Sequence, residues 1–263
     1  MKKKVVNLVS TIGVFVALLF FWHLLIIILQ IPPFMLPSPY AVLLAIINRY
    51  PSLLSALWIT ACPAIIGLAV STLTGLFVSI LFAQSRWVRR MFFPYTLLLQ
   101  TVPIVAIAPL ILMWVGAGLS AITIITFIIC LPPIIYNTTQ GLITVDRNLL
   151  SLFMMHNASR FDLMRKLRLP NALPSLFVGI RISAGIAVIG GLTGELFAGS
   201  SQVGQGGIGY SLMYAYSQLQ TDYLFALVIA ACVLGFAFNA IARFFEWLLL
   251  HEWHESILPE GND

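Results

Sequence analysis

Leu57-Trp-Ile-Thr-Ala-Cys-Pro-Ala-Ile-Ile-Gly-Leu-Ala-Val-Ser-Thr-Leu-Thr-Gly-Leu-Phe-Val-Ser-Ile-Leu-Phe-Ala83 runs for twenty-seven residues without a charged side chain. Roughly 20 apolar residues suffice for a helix to cross the hydrocarbon of a bilayer, so the stretch reads as a membrane span. Outward from it, five more apolar stretches carry the same reading, over 9–31, 92–115, 119–139, 173–194 and 223–249. The composition agrees: 60% of the 263 residues are hydrophobic and 9% are charged, against about 25% charge in a soluble domain. A soluble enzyme and a disordered chain are thereby excluded. The expectation is an all-α, polytopic membrane protein with six transmembrane helices, forming a single domain over 1–263. The stretch 41–47 is too short to cross and lies among Pro37, Pro39 and Pro51, so it is expected to be an interfacial helix.

Lys2, Lys3 and Lys4 precede the first stretch. A cleaved signal peptide is the competing reading there. The apolar run is too long for one, and Ile28-Leu-Gln-Ile-Pro32 lacks the small residues of a cleavage site, so it is read as a retained span. Eleven of the 14 Lys and Arg residues fall in the amino-terminal tail and in segments 84–91 and 140–170, whereas 32–56, 116–118 and 195–222 hold only Arg49. Basic residues accumulate on the cytoplasmic side of membrane proteins. Both termini and the two basic segments are therefore expected in the cytoplasm of a bacterial-type inner membrane, and an even number of spans brings the two ends to one side. The net charge of +5 then marks a membrane face and gives no reason to expect nucleic acid. Cys62, Cys130 and Cys232 lie in apolar runs and offer neither a disulfide pattern nor metal-ligand spacing.

The segment 140–170 is the one long cytoplasmic element. Asp146 is placed to cap a first helix, because a side-chain oxygen accepts from the unpaired N–H groups of a first turn. Leu149, Leu152, Phe153 and His156 then share a face at spacings of three and four. Asn157 tolerates the left-handed conformation of a helix end, and Ser159 can start a second helix in which Phe161, Met164 and Leu167 are apolar and Arg160, Arg165, Lys166 and Arg168 are basic. Pro170 and Pro174 are expected to punctuate the start of the fifth span. Two bent helical pieces with an apolar ridge suit either an amphipathic helix lying on anionic lipid or a knob that docks in the groove of a cytosolic partner.

From Gly141 to Pro170 the chain resembles the signature loop of binding-protein-dependent ABC importer permeases: a Glu-Ala-Ala triplet, a glycine four residues after its last alanine, and an Ile-x-Leu-Pro close. Aligned on Leu169-Pro170, the triplet falls on Ser151-Leu152-Phe153, the glycine on Asn157 and the close on Leu167-Arg168-Leu169-Pro170. The triplet is not retained, and a hydroxyl stands where its acid would be. Further segments resemble the nitrate, taurine and alkanesulfonate branch of these permeases, which also includes thiamine-precursor importers. They are Leu36-Pro-Ser-Pro39, Val102-Pro-Ile-Val-Ala-Ile-Ala-Pro-Leu110, Gly179-Ile-Arg181, and Glu195 ahead of a glycine-rich loop. The resemblance implies the fold of a type I importer permease. It further implies a cytosolic ATPase dimer whose groove receives the helix around 149–156, and a solute-binding protein outside the membrane. On it, Leu149, Ser151, Leu152, Phe153, His156, Asn157 and Arg160 are the expected ATPase-coupling residues.

The chain has four lysines, Lys2, Lys3, Lys4 and Lys166, and none follows the glycine-rich spacing of a phosphate-binding loop. If ATP drives the protein, another polypeptide binds ATP and magnesium and hydrolyses it, so no cofactor is expected on this chain. A second copy of the chain, enclosing a route at the interface, is the economical expectation. Candidates to line that route are Gln100, Thr101 and Pro103 in the third span, where proline loosens backbone pairing, and the costly ionisable residues Arg181 and Glu195. Arg181 could snorkel or pair with Asp162 or a carbonyl. The small residues Ser71, Thr72, Thr74 and Gly75, with Gly185, Gly190, Gly191 and Gly194, suit either the route or close helix packing.

Two motifs mislead. Gly204-Gln-Gly-Gly-Ile-Gly209 matches G-x-G-x-x-G, but no strand precedes it as a dinucleotide site requires, so a flexible outer loop is expected. His251-Glu-Trp-His254 is one residue short of the His-Glu-x-x-His helical turn and reads as an interfacial tail with no metal. His23 and His156 have no nucleophile or carboxylate beside them, so no catalytic residues are expected. The alternative to an ATP-driven permease is an ion-coupled secondary transporter. It would need a charged residue at mid-membrane, for which Arg181 is the candidate, and no internal repeat of the kind such transporters carry is evident.

Overall fold

The computed structural model describes residues 2–199 and 206–250, with side chains omitted for 2–9 and 12. The 251–254 motif, Gly204 and Gln205 lie outside the described residues. In chain order the helices are α1 (Lys2–Leu29), α2 (Pro39–Asn48), α3 (Tyr50–Gln84), α4 (Arg86–Thr101), α5 (Ile104–Val115), α6 (Leu119–Ile143), α7 (Arg147–Met155), α8 (Arg160–Leu163), α9 (Leu169–Ala198), α10 (Ile208–Ser217) and α11 (Thr221–Leu250). The fold is all-α, with no strand among the described residues. Four helical segments are long and apolar enough to cross a membrane, and α4 with α5 makes a fifth if the bent pair is one span. In α1, the described apolar stretch is Gly13–Leu29.

α6 and α9 form the central pair, with α3 and α11 packed on them. Lipid is as apolar as leucine, so membrane helices associate through close approach and hydrogen bonds. Both are present. A Cβ on Gly190 would stand 2.9 Å from Thr126 Cα, and one on Gly75 would stand 2.7 Å from Ile134 Cγ2. Ser71 Oγ donates to Phe127 O (2.9 Å), Ser79 Oγ to Ile135 O (3.1 Å) and Ser183 Oγ to Cys130 O (2.8 Å). The small residues at Ser71, Gly75, Gly190, Gly191 and Gly194 are therefore packing residues. Gly185 has open space where a Cβ would stand.

Three expectations are corrected. The third span is not one helix: α4 and α5 meet at 98°. Pro103 has no N–H and bars its predecessor from helical geometry, and Val102 accordingly sits at φ −72°, ψ 121°. Pro170 lies in the first turn of α9 as expected, but it does not interrupt the helix, because α8, a π turn and α9 continue as one 39-residue segment, Arg160–Ala198. A π turn over Met164–Arg168, closed by Leu169 N donating to Met164 O, widens the helix where the proline ring would otherwise press on the preceding turn. The segment between the fifth and sixth spans, expected to be a flexible loop, also holds a helix, α10, with Ile208, Gly209 and Ala215 buried.

The expected interfacial helix is α2, capped by Ser38 Oγ accepting from Ala41 N (3.2 Å). Its Val42 and Ala45 are buried. Arg49 follows it, donating to Gln220 Oε1 (2.6 Å) with its guanidinium 4.6 Å from the centre of the Tyr223 ring. Arg49 thus ties α2 to the start of α11.

Candidate functional site

α7 begins where Asp146 Oδ1 accepts from Asn148 N (2.7 Å). It ends in a reciprocal pair of hydrogen bonds, Asn157 N to Met154 O (3.0 Å) and Ala158 N to Phe153 O (3.1 Å). That pattern requires a left-handed residue just past the helix, and Asn157 supplies it at φ +52°. Ser159 then caps α8 by accepting from Asp162 N (3.1 Å), and its hydroxyl donates to the Asp162 carboxylate. The Ser159 hydroxyl and Lys166, whose Nζ lies 3.0 Å from Asp162 Oδ1, hold the Asp162 carboxyl below its ordinary range. Asp162 is therefore engaged within its own turn and does not reach Arg181.

The pair α7–α8 stands on a fixed base. Met164 and Leu167 are buried, with Met164 in a cluster with Ala83, Leu142 and Ala172. Arg168 Nη1 donates to Ala83 O (2.8 Å) at the end of α3, and Asn171 Nδ2 donates to Gly141 O and Thr144 O (3.0 Å each) at the end of α6. α7 itself contributes nothing to the core. Leu149, Leu152, Met154 and Met155 are exposed, Met155 to 81%, and Phe153 is half-buried. Ser151 donates to Arg147 O within the helix (2.8 Å), and His156 and Arg160 are exposed beside it. Phe161, 72% exposed, extends the apolar surface onto α8. Met154, Met155 and Phe161 lie outside the expected coupling residues, yet all three are exposed and widen the apolar surface beyond the face that the three-and-four spacing picks out.

The second group lies at the broken span. Gln100 and Thr101 end α4 and Pro103 precedes α5, all exposed. Gln100 lines a cleft of about 580 Å³ with Tyr136 and Asn137 of α6. Thr101 Oγ1 donates to Leu98 O (2.8 Å) and is not part of that lining. Arg181 Nη1 lies 3.0 Å from Glu246 Oε2 of α11, while Asn239 Nδ2 donates to Arg181 O (3.3 Å). This ion pair joins two helices and satisfies a charge that hydrocarbon would otherwise make costly.

Glu195 is 2% exposed. Its Oε2 accepts from Gly209 N (2.8 Å) and lies 2.9 Å from Thr60 Oγ1, which accepts from Ile208 N (2.8 Å). The Glu195 side chain thus caps the start of α10 across the space between α3 and α9, accepting from a first-turn N–H that has no partner within the helix. Two glycines of that stretch, Gly207 and Gly209, have their reason here. A Cβ on Gly207 would overlap the Glu195 carboxylate, and one on Gly209 would overlap Leu192 O. The motif seats a helix start on a buried acid.

Residues 71–249 match the family model described as binding-protein-dependent transport system inner membrane component. A probable ABC transporter permease protein of Haemophilus influenzae is 30% identical over 251 residues, covering 94% of this chain and 99% of its relative. The formylaminopyrimidine transport permease protein ThiX of Halalkalibacterium halodurans is 31% identical over 223 residues, covering 83% and 86%. The aliphatic sulfonates transport permease protein SsuC of Escherichia coli, itself a putative assignment, is 30% identical over 217 residues, covering 82% and 81%. Among solved structures, a chain of the inward-facing MetNI methionine ABC transporter superposes with a TM-score of 0.58 at 22% identity, covering 75% of this chain and 97% of that one. A chain of an amino acid ABC transporter superposes with a TM-score of 0.60 at 16% identity, covering 80% and 97%. The chain belongs to the binding-protein-dependent inner membrane components, the multi-pass permease subunits of ABC importers, in the branch that includes the sulfonate and bicarbonate permeases.

Proposed function

We propose that the chain works as one of two identical membrane subunits driven by a separate cytosolic ATPase dimer, and that α7 is the element this motor grips. The carrying observation is an apolar ridge held clear of the core. Leu149, Leu152, Met154 and Met155 are exposed on a helix with no buried residue. Covering them returns about 25 cal/mol for each Å² removed from water, and a helix laid in a groove is the recognition mode that does so. Phe153 is the half-buried member of the same helix, Ser151, His156 and Arg160 form its polar margin, and Asn157 sets the angle of the turn. ATP and magnesium belong to the motor, and this chain binds neither.

Force then has a continuous path. α8, the π turn and α9 are one helical segment, so bringing two copies of α7 together as the ATPase closes tilts two membrane helices. The orientation that serves this reading has both termini and α7 in the cytoplasm, with α10 facing a solute-binding protein outside. The relatives are named for carrying formylaminopyrimidine, riboflavin and aliphatic sulfonates, so the cargo is a small solute. Purification of tagged chain from its native membrane tests the reading. ATP hydrolysis should travel with the chain through a second polypeptide and be lost with Leu152→Asp or Phe153→Asp. Uptake that survives ATP depletion but stops with an uncoupler overturns it in favour of ion coupling.

A further inference from the structure

The start of α4 gathers positive charge in one place. Ser85 opens the helix, its Oγ accepting from Val88 N (3.3 Å). Arg86, Arg89, Arg90 and Phe93 then recur at spacings of three and four, which puts them on one face. Trp87, Met91 and Phe92 lie off that face and are exposed, Trp87 to 68%. α4 packs on α3 and α6, so its exposed apolar side is left to lipid. Tryptophan beside arginine at a helix start marks the headgroup level of a bilayer.

Arg89 and Arg90 line a cleft of about 230 Å³ between α4 and the end of α6. Phe93, Pro94 and Ile143 supply its apolar lining, and Gln140 adds a neutral amide. Thr139 also lines it, fully buried, with a hydroxyl that has no hydrogen-bond partner among the described residues. A further arginine comes from the π turn: half-buried Arg168 donates to Ala83 O, and the charges of Arg89 and Arg86 bear on it. Among the described residues, no carboxylate pairs with any of these four arginines, since Asp162 is engaged with Lys166 and Glu246 with Arg181. Like charges held together and partly out of water repel, and an anion seated on Arg89 and Arg90 relieves that repulsion.

We propose that this cleft seats the phosphate of an anionic phospholipid, whose acyl chains run beside the exposed apolar side of α4. The guanidinium fork matches phosphate geometry, and basic pockets between membrane helices hold such headgroups. The cleft is smaller than the about 300–1,000 Å³ of a site that encloses a whole ligand, which suits a headgroup whose tails stay outside. Free phosphate would make no use of Phe93, Pro94 and Ile143. A choline headgroup would bring its own cation among the arginines. The inference is independent of how the chain is driven.

The test is a titration of the purified full chain in neutral detergent, read by native mass spectrometry. Phosphatidylglycerol and, separately, phosphatidylcholine with the same acyl chains are the probes. Phosphatidylglycerol should bind more tightly. Arg89→Gln and Arg90→Gln should each weaken it about fivefold, the worth of one basic residue facing an anionic headgroup. Arg90 is exposed, so its variant keeps the fold and tests the seat by itself. Arg147→Gln, which removes an exposed charge outside the cleft, should change nothing. Millimolar inorganic phosphate, balanced with chloride at equal ionic strength, should leave the lipid bound. Equal affinity for the two lipids overturns the proposal, as does phosphatidylglycerol binding unchanged in Arg90→Gln. So does an equal loss in Arg147→Gln, which would reduce the effect to diffuse surface charge. Displacement by inorganic phosphate would make the cleft a site for the free anion and overturn the lipid assignment.

Discussion

Asn157 holds φ at +52°, a region in which an L side chain costs roughly 1–2 kcal/mol and asparagine less than most. It stands where the family signature has glycine, and the two hydrogen bonds that close α7 need that backbone and not its side chain. Asn157→Gly should therefore leave ATPase association unchanged. Asn157→Val, branched at Cβ, should weaken it by about five- to thirty-fold, the equivalent of that strain. The thermal midpoint should move little, because α7 buries nothing. Co-purification at graded ATPase concentrations reads the first quantity and a melting curve the second. Glu195 shows the converse case, a residue whose side chain is the point. Glu195→Gln keeps an oxygen for Gly209 N and Thr60. Glu195→Ala leaves a buried N–H unpaired, a cost of about 1–3 kcal/mol. The alanine variant should melt lower than the glutamine variant, and equal melting would show that the carboxylate does not hold α10.

Helix pairs carry the next level, and the glycines of α9 separate packing from permissiveness. Gly190→Ala drives a Cβ to 2.9 Å from the Thr126 backbone and should part α6 from α9, lowering the melting point. Gly185→Ala meets nothing within 4 Å and should raise stability by up to about 0.5–1 kcal/mol through helix propensity. A melting comparison of the two variants checks both signs. At this scale the sequence was legible where a local rule acts alone. Apolar length located the crossing helices, Asp146 and Ser159 marked helix starts, and Asn157 marked a helix end. It was less legible where two rules compete. Pro103 and Pro170 carry the same local signal, yet one breaks a helix and the other is absorbed by a π turn anchored through buried Met164 and Leu167. The contacts of Arg181 with Glu246 and of Glu195 with Thr60 join residues 65 and 135 positions apart, and no spacing rule reaches across such distances. α10 escaped for a related reason: its glycine-rich start reads as loop until the acid beneath it is seen.

At the scale of the whole molecule, every inference about coupling and cargo depends on which face of the membrane α7 occupies, and the distribution of basic residues argues for the cytoplasm. The architecture turns this into a sharp expectation, because α7 and α10 lie at opposite ends of the single helix α9. That helix is 30 residues long, about 45 Å at 1.5 Å per residue, so it spans the about 30 Å hydrocarbon core with both ends in water. Ser151 on α7 and Tyr216 on α10 are exposed, and each can report its own side as a single cysteine once Cys62 and Cys232 are replaced. Cys130 is fully buried and out of reach of the reagent. With Ser151→Cys, a membrane-impermeant maleimide should label inside-out vesicles and spare intact spheroplasts. With Tyr216→Cys the pattern should reverse. Labelling of Ser151→Cys from outside would place the apolar ridge beyond the reach of any cytosolic motor, and a lever for ATP-driven closure would then have to be sought elsewhere in the chain.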